Sequence, residues 1–229
     1  MLILAIETAT PAGSVALLED QRLVASRYFD VGYQHSRRLC GEIEAVLKVA
    51  DKVVGDLDGV AVSIGPGSFT GLRIGLSAAK GVCFAASLPL VTVPTLEALA
   101  AAIPYAARPV CPVLGARRGE VYTALFETTS GMPVLLEEAE VLTPEALAAK
   151  RGEDQILWVG DGVELCAEYL GDLPLVAPPL WARPEARLVG LLAGARLDAG
   201  AVADLAAVEP EYLRDPDYVR AKRKVSAGQ

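Results

Sequence analysis

The segment Gly65-Pro-Gly-Ser-Phe-Thr-Gly-Leu-Arg-Ile-Gly75 is the most informative part of this chain for its fold. It follows the apolar run Val60–Ile64, which is typical of a strand buried on both faces. It also opens an apolar segment that continues to about Ala86 and has helical spacing. A buried strand that passes through glycines into a helix predicts a unit of an α/β sheet.

Two interpretations of these glycines stay open at this point. Backbone N–H groups of a glycine-rich turn at a helix N-terminus bind anions, so Gly65, Gly67 and Ser68 are candidate phosphate-binding residues. Glu7 and Thr8, at the end of the first apolar run, are candidates for the same nucleotide site. The segment is neither a P-loop nor a dinucleotide fingerprint, because the lysine and the glycine spacing of those motifs are missing.

The second interpretation concerns close packing. Gly67, Gly71, Gly75 and Ala79 are four residues apart and share one helix face. Each interior glycine costs a helix about 1 kcal/mol, so close approach of another backbone, within the chain or from a partner, should offset that cost. With the apolar stripe of the preceding helix, the predicted partner interface comprises Leu39, Ile43, Leu47, Gly71, Leu72, Gly75 and Ala79.

The first half predicts the element order β-β-β-α-β-α-β-α, with a meander of three strands followed by alternating helices and strands. In the second half we expect further strands within 110–159, helices from Pro144 and over Arg187–Leu197, and a proline-rich connection over Pro174–Pro184. We divide the chain into residues 1–104, which carry the two interface helices, and a smaller domain of residues 105–229 with a C-terminal helix and a basic tail.

Composition narrows the function. The 229 residues carry a net charge of −8, which disfavours nucleic-acid binding by the chain alone, and 52% are hydrophobic, enough for a sizeable core. No C-x-x-C motif occurs, so we expect four buried thiols and no zinc site; the cysteines are Cys40, Cys83, Cys111 and Cys166. We also expect no signal peptide, no membrane span and a cytoplasmic location.

Three further features have a structural and a functional interpretation. His35, the single histidine, is expected to cap a helix or lie at the surface rather than take part in catalysis. Asp161, in Gly160-Asp-Gly162, predicts a tight turn or a second phosphate loop. The run Arg220-Ala-Lys-Arg-Lys224 predicts a solvated tail, or a contact with RNA held mainly by a partner.

Several motifs together resemble one known family. They are Ile3-Leu-Ala-Ile-Glu7-Thr-Ala-Thr, His35-Ser-x-x-Leu39, Ser63-Ile-Gly-Pro-Gly-Ser-Phe-Thr-Gly-Leu-Arg-Ile-Gly75, Pro94-Thr-Leu-Glu97, Ala116-Arg-Arg-Gly-Glu-Val-Tyr122, Val159-Gly-Asp-Gly162 and Pro210-Glu-Tyr-Leu-Arg214. The chain resembles the TsaB (YeaZ) family, the dimerization subunit of the bacterial machinery that makes tRNA threonylcarbamoyladenosine. The resemblance covers nearly the whole chain and is densest in the first 125 residues.

The resemblance implies an actin/hexokinase-like fold of two RNase H-like halves, the second reduced. It implies a non-catalytic scaffold that binds the TsaD-type threonylcarbamoyltransferase and, with it, the TsaE-type ATPase. Further implications are a homodimer when the chain is alone, tRNA contact only through the complex, and no cofactor required by this chain, with ATP or ADP at the subunit interface left open.

A rival hypothesis is an enzyme of the same fold that acts on its own, either an ATP-dependent phosphotransferase or a peptidase. The catalytic relative, TsaD, binds its metal through an H-x-x-x-H motif, and a chain with one histidine has no such motif. Kinases of this fold usually carry aspartate where Glu7 stands. Both departures favour the scaffold.

Overall fold

The protein is described by a computed structural model that covers residues 1–30, 32, 34–152, 155–171 and 175–213. The first half forms a five-stranded mixed sheet with helices between its later strands. Its elements are β1 (Leu2–Glu7), β2 (Gly13–Glu19), β3 (Arg22–Phe29), α1 (His35–Val49), β4 (Gly59–Gly65), α2 (Phe69–Ala86), β5 (Leu90–Pro94) and α3 (Thr95–Ala100).

The strand order in this first sheet is β3-β2-β1-β4-β5. The meander β1-β2-β3 is antiparallel, whereas β4 pairs in parallel with both β1 and β5. Every residue of β1 and β4 is buried, which is why both strands are continuous apolar runs rather than alternating ones. The predicted element order of the first half is confirmed.

The second half forms another five-stranded sheet, of order β10-β9-β6-β7-β8. Its elements are β6 (Val110–Gly115), β7 (Val121–Glu127), β8 (Val134–Leu142), α4 (Pro144–Arg151), β9 (Leu157–Val159), α5 (Val163–Leu170), β10 (Leu175–Val176) and α6 (Ala186–Asp198). Thr143 caps α4 by accepting a hydrogen bond from the Ala146 N–H. Strand β10 lies inside the stretch predicted as a connection, because two residues between prolines carry no readable periodicity.

Both halves share one topology, which the sequence does not reveal by residue identity. Each begins with an antiparallel meander, and each first strand then pairs in parallel with the fourth strand of its own half. The two fourth strands both lead into a glycine with positive φ: β4 ends at Gly65, at 131°, and β9 is followed by Gly160, at 123°. Only glycine adopts this backbone conformation without strain.

The third helix of each half packs against the sheet of the other half. Helix α3 contacts β6 and β7, and its Leu96 and Leu99 share a core with Val110 and Phe126. Helix α6 contacts β1, β2, β4 and β5 of the first sheet. Division of the chain at residues 104/105 assigns α6 to the second domain by sequence order, whereas the apolar side chains of this helix complete the core of the first.

The cysteine prediction is confirmed for three residues and wrong for one. Cys83, Cys111 and Cys166 are buried, and burial raises the pKa of each thiol to about 11. Cys40 is exposed, because it lies on the outer face of α1. Among the helices within the described ranges, none is both long and apolar enough to cross a membrane.

We predict that Gly71→Ala destabilises the chain although alanine favours a helix. A Cβ at this position would lie 2.0 Å from the carbonyl oxygen of Thr8. The backbone shift that this requires costs about 1–3 kcal/mol, more than the roughly 1 kcal/mol gained in helix propensity. Urea denaturation measures the difference. The matched control is Gly41→Ala, where no atom lies within 4 Å of a Cβ and stability should not fall.

Candidate functional site

The glycine-rich turn packs directly on the turn that follows β1. The Ser68 N–H donates to the carbonyl oxygen of Ala9 at 2.6 Å, and the Thr8 hydroxyl donates to the carbonyl oxygen of Gly71 at 2.8 Å. A Cβ on Gly67 would lie 2.5 Å from the Ala9 oxygen, and one on Gly75 would lie 2.2 Å from Thr8 Oγ1. These glycines therefore allow a close approach within the chain itself.

Three N–H groups of this turn that could face a phosphate already have partners. Gly65 N donates to Thr95 Oγ1 at 3.2 Å, and Gly71 N donates to Ser68 Oγ at 3.3 Å. With Ser68 N bonded to Ala9, three donors of the candidate phosphate loop are used within the protein. The structure thus brings all five candidate nucleotide residues together, but as a packed contact between two turns.

Glu7 is the most buried acid of this contact, with no exposed surface. Its Oε1 accepts a hydrogen bond from the Ala9 N–H at 2.5 Å, so the carboxyl group stabilises the turn after β1. Burial raises the pKa of Glu7 to about 7, and the hydrogen bond from the Ala9 N–H opposes this rise only in part. This hydrogen bond within the turn accounts for the position of Glu7.

His35 begins α1 as expected but is neither a cap nor a surface residue. It is 1% exposed, its Nε2 lies 2.9 Å from the carbonyl oxygen of Thr10, and its ring packs near Phe29. Gln34 occupies the N-cap position. The surface prediction is wrong because the N-terminus of α1 is covered by the turn between β1 and β2, where a Cβ on Gly13 would meet both rings.

The predicted partner interface also faces inward. Leu39, Ile43, Leu47, Gly71, Leu72, Gly75 and Ala79 are all buried within the chain. The apolar stripe of α1 and the small-residue face of α2 pack on the first sheet and on one another. Packing within the chain accounts for these seven residues, because the helical stripe that the sequence reveals is the one that each helix buries in its own core. Their role at a partner interface stays a prediction.

The outer face of the same two helices has a different composition. We call it the outer α1–α2 face; it includes Arg37, Cys40, Gly41, Glu44, Arg73, Ser77, Gly81 and Phe84, all exposed. Gly41 and Gly81 have open space where a Cβ would stand, so no contact within the described chain requires glycine there. Phe84 is 86% exposed, and Val49, at the C-terminal end of α1, is 75% exposed.

The outer α1–α2 face is not among the predicted interface residues, although the sequence carries a signal for it. Gly41 and Gly81 are interior helix residues that lie outside the buried stripes. Each lowers helix stability, and no contact within the described chain explains why glycine is present. Phe84 likewise lies off the row formed by Gly67, Gly71, Gly75 and Ala79.

A cleft of about 840 Å³ opens between the two halves. Tyr28 and Asp30, at the end of β3, form one wall, and the opposite wall follows α5 and the segment around Leu180. Arg183 connects the two walls. Its Nη1 donates to Asp161 Oδ2 at 2.7 Å, and its Nη2 lies 3.9 Å from Asp30 Oδ2. The sequence gives no sign of this cleft, because its residues come from distant parts of the chain.

Asp161 has a structural role in its turn. Its Oδ1 accepts a hydrogen bond from Gly115 N at 3.0 Å, and its Oδ2 binds Arg183, which fixes the turn between β9 and α5. This agrees with the tight-turn interpretation. The basic run 220–224 lies outside the described residues. Within the described ranges, no three His, Cys, Asp or Glu side chains are grouped so that they could hold a metal ion.

Two sheets of equal strand order, joined by exchanged helices around a central cleft, define an α/β protein of the actin/hexokinase-like class. The family model for TsaD, tRNA N6-adenosine threonylcarbamoyltransferase, matches residues 30–222. The TsaB protein of Escherichia coli is 36% identical over 166 residues, 71% of either chain. The TsaB protein of Bacillus subtilis is 29% identical over 220 residues, 93% of this chain and 94% of that one.

The solved structure of YeaZ from Pseudomonas aeruginosa superimposes with a TM-score of 0.83 at 29% identity, covering 93% of this chain and 99% of that one. The chain belongs to the TsaB/YeaZ family and takes part in tRNA threonylcarbamoyladenosine biosynthesis. The fold that the resemblance implied is confirmed.

We predict that the stability of the chain falls as the pH rises from about 5 to 7. Unfolded Glu7 loses its proton near the ordinary pKa of 4.5, whereas the folded chain keeps it until about 7. Because the folded state binds more protons in this window, the Glu7 contribution to the free energy of unfolding falls by about 2 kcal/mol across it.

Urea denaturation of the wild type and of Glu7→Gln at several pH values measures this contribution. The variant keeps an oxygen for the Ala9 N–H and should lose the decrease. Glu44→Gln, which removes an exposed carboxylate of α1, should retain it. Parallel curves for the wild type and Glu7→Gln would contradict the prediction.

Proposed function

We propose that this chain is a non-catalytic subunit that binds a TsaD-type threonylcarbamoyltransferase through the outer α1–α2 face. Membership of the TsaB/YeaZ family supports the partner class. The sequence holds one histidine, and that residue is buried as a packing group of the first half, which supports a role without catalysis by this chain.

The observation that carries the proposal is the pair of open glycines, Gly41 and Gly81. Each lies in a helix interior, where glycine costs about 1 kcal/mol relative to alanine, and neither has a neighbour that excludes a side chain. A partner that approaches these helices closely explains both residues. The exposed ring of Phe84 supplies a large apolar contact on the same face, as at the centre of many protein interfaces.

The outer face has mixed charge. Arg37 and Glu44 are exposed on α1, and Arg73 is exposed on α2. A polar rim around a small apolar centre suits a partner that associates reversibly rather than a permanently buried core. The same face of a second copy would be self-complementary, and we therefore propose that the chain forms a homodimer when the catalytic subunit is absent.

We further propose that a TsaE-type ATPase joins the complex and that tRNA is bound by the complex rather than by this chain. The net charge of −8 supports the second point, since phosphate backbones are bound by clustered basic residues. We propose no cofactor for the chain itself. The N–H groups of Gly65, Ser68 and Gly71 are engaged internally, so ATP or ADP at the subunit interface would have to rely on other groups.

We predict that Gly81→Leu weakens binding to the TsaD-type protein of the same organism by about tenfold or more while the chain itself becomes slightly more stable. The leucine side chain has open space in the isolated chain and improves helix propensity, but it prevents close approach of a partner. Isothermal titration calorimetry measures the affinity, and light scattering after size exclusion gives the mass of the complex.

Val134→Glu is the matched control, because it alters a half-exposed apolar residue on β8 of the other half and should leave binding unchanged. Phe84→Glu should likewise weaken binding by about tenfold or more. Wild-type affinity for both Gly81→Leu and Phe84→Glu would rule out this face, and turnover of ATP by the isolated chain would contradict the non-catalytic role.

A further inference from the structure

The cleft between the halves combines an apolar wall with an acidic rim. Ala167 and Leu170 of α5 form part of the wall. Val176 and Leu180, on the segment after α5, also line it and are 44% and 83% exposed. Large apolar side chains exposed beside a cleft indicate a surface that another segment covers.

The rim carries more negative than positive charge. Four of the described lining residues are acidic, namely Asp30, Asp161, Glu164 and Glu185, and Arg183 is the basic one among them. Arg183 binds Asp161 and lies near Asp30, and Glu185 forms an ion pair with Arg187 at 3.1 Å. Glu164 is exposed on α5. Such a surface favours an occupant that is basic and partly apolar, and it disfavours the phosphates of a nucleotide.

The end of this chain has that composition. Residues 214–229 contain five basic and two acidic residues, a net charge of +3, which leaves −11 on residues 1–213. The segment also carries Tyr218, Val219 and Val225, which flank the basic run. Its charge is opposite to that of the cleft, and its apolar residues match the exposed wall.

The described chain ends within reach of the cleft. Glu211 N donates to the carbonyl oxygen of Ile64 at 2.7 Å, so the chain passes the end of β4 two residues before Leu213. Strands β3, β1 and β4 run in the same direction, and β3 is three strand spacings from β4, about 14 Å. Asp30 at the end of β3 is one wall of the cleft. Sixteen further residues span up to about 50 Å when extended.

We propose that residues 214–229 bind in the cleft between the two halves of their own chain, with the run Arg220–Lys224 at the acidic rim and the neighbouring apolar residues against Leu180. The proposal does not depend on the outer α1–α2 face, which is formed by other elements.

Trp181 provides a built-in reporter. It is 40% exposed and lies between two lining residues, Leu180 and Ala182, whereas the other tryptophan, Trp158, is 2% exposed. In the full chain, Lys222→Glu combined with Arg223→Glu and Lys224→Glu should release the segment. Acrylamide quenching of Trp181 fluorescence should then rise about twofold, as should quenching of the wild type at high salt. The same triple change in a Trp181→Phe chain should give no change.

Substitutions in the cleft test the other side of the contact. In the full chain, Glu164→Lys should increase quenching to the same extent as the triple variant, and the combination of both should add little, because one contact is removed only once. Glu44→Lys, on the outer α1–α2 face, is the matched control and should have no effect. Additive effects of the two changes would overturn the proposal.

A second measurement uses a chain that ends at Leu213, with its fold checked by circular dichroism, and a labelled peptide of residues 214–229. Fluorescence anisotropy should show saturable binding that Leu180→Asp weakens about fivefold. A scrambled peptide of equal charge should bind more weakly. Absence of peptide binding, equal binding of the scrambled peptide, or quenching in the full chain that depends on protein concentration would each overturn binding within one chain.

Discussion

The close contact between the turn after β1 and the first turns of α2 sets the position of the helices in the first half. The backbone of Thr8 and Ala9 occupies the space where side chains of Gly67 and Gly71 would stand, and hydrogen bonds from Ser68 and Thr8 close the contact. This places α2 against the first sheet at one fixed height and rotation. It therefore also determines which face of α2 remains at the surface.

The two halves are held together because each contributes one helix to the core of the other. The third helix of each half packs against the sheet of the opposite half. Helices α3 and α6 thus each bury apolar side chains in a core that belongs mainly to the other half. Ala186 N donates to Ser14 Oγ at 2.8 Å, which anchors the start of α6 on β2. The walls of the cleft therefore belong to two halves that contribute to each other's core. Arg183 spans the cleft at one edge.

The glycines of this chain divide into two groups with different causes. Gly67, Gly71 and Gly75 are required by contacts inside the chain, whereas Gly41 and Gly81 have none that explain them. The first group stabilises the arrangement of α1 and α2 on the sheet, and the second leaves a smooth outer surface on the same helices. In a member of the TsaB/YeaZ family, this division connects a packing requirement of the fold with the surface proposed to meet the catalytic partner.

Sequence patterns alone predict the element order of the first half, most helix and strand positions of the second, and the family, because periodicity and long local motifs are properties of neighbouring residues. Sequence patterns also identify Glu7 and the glycine-rich turn as parts of one candidate site. The packing in three dimensions was needed to show that the stripe of Leu39, Ile43 and Leu47 is buried, that His35 is internal, and that α6 completes the first core. A helix pattern shows which face is apolar but not whether that face meets its own chain or another, because this depends on residues far apart in sequence.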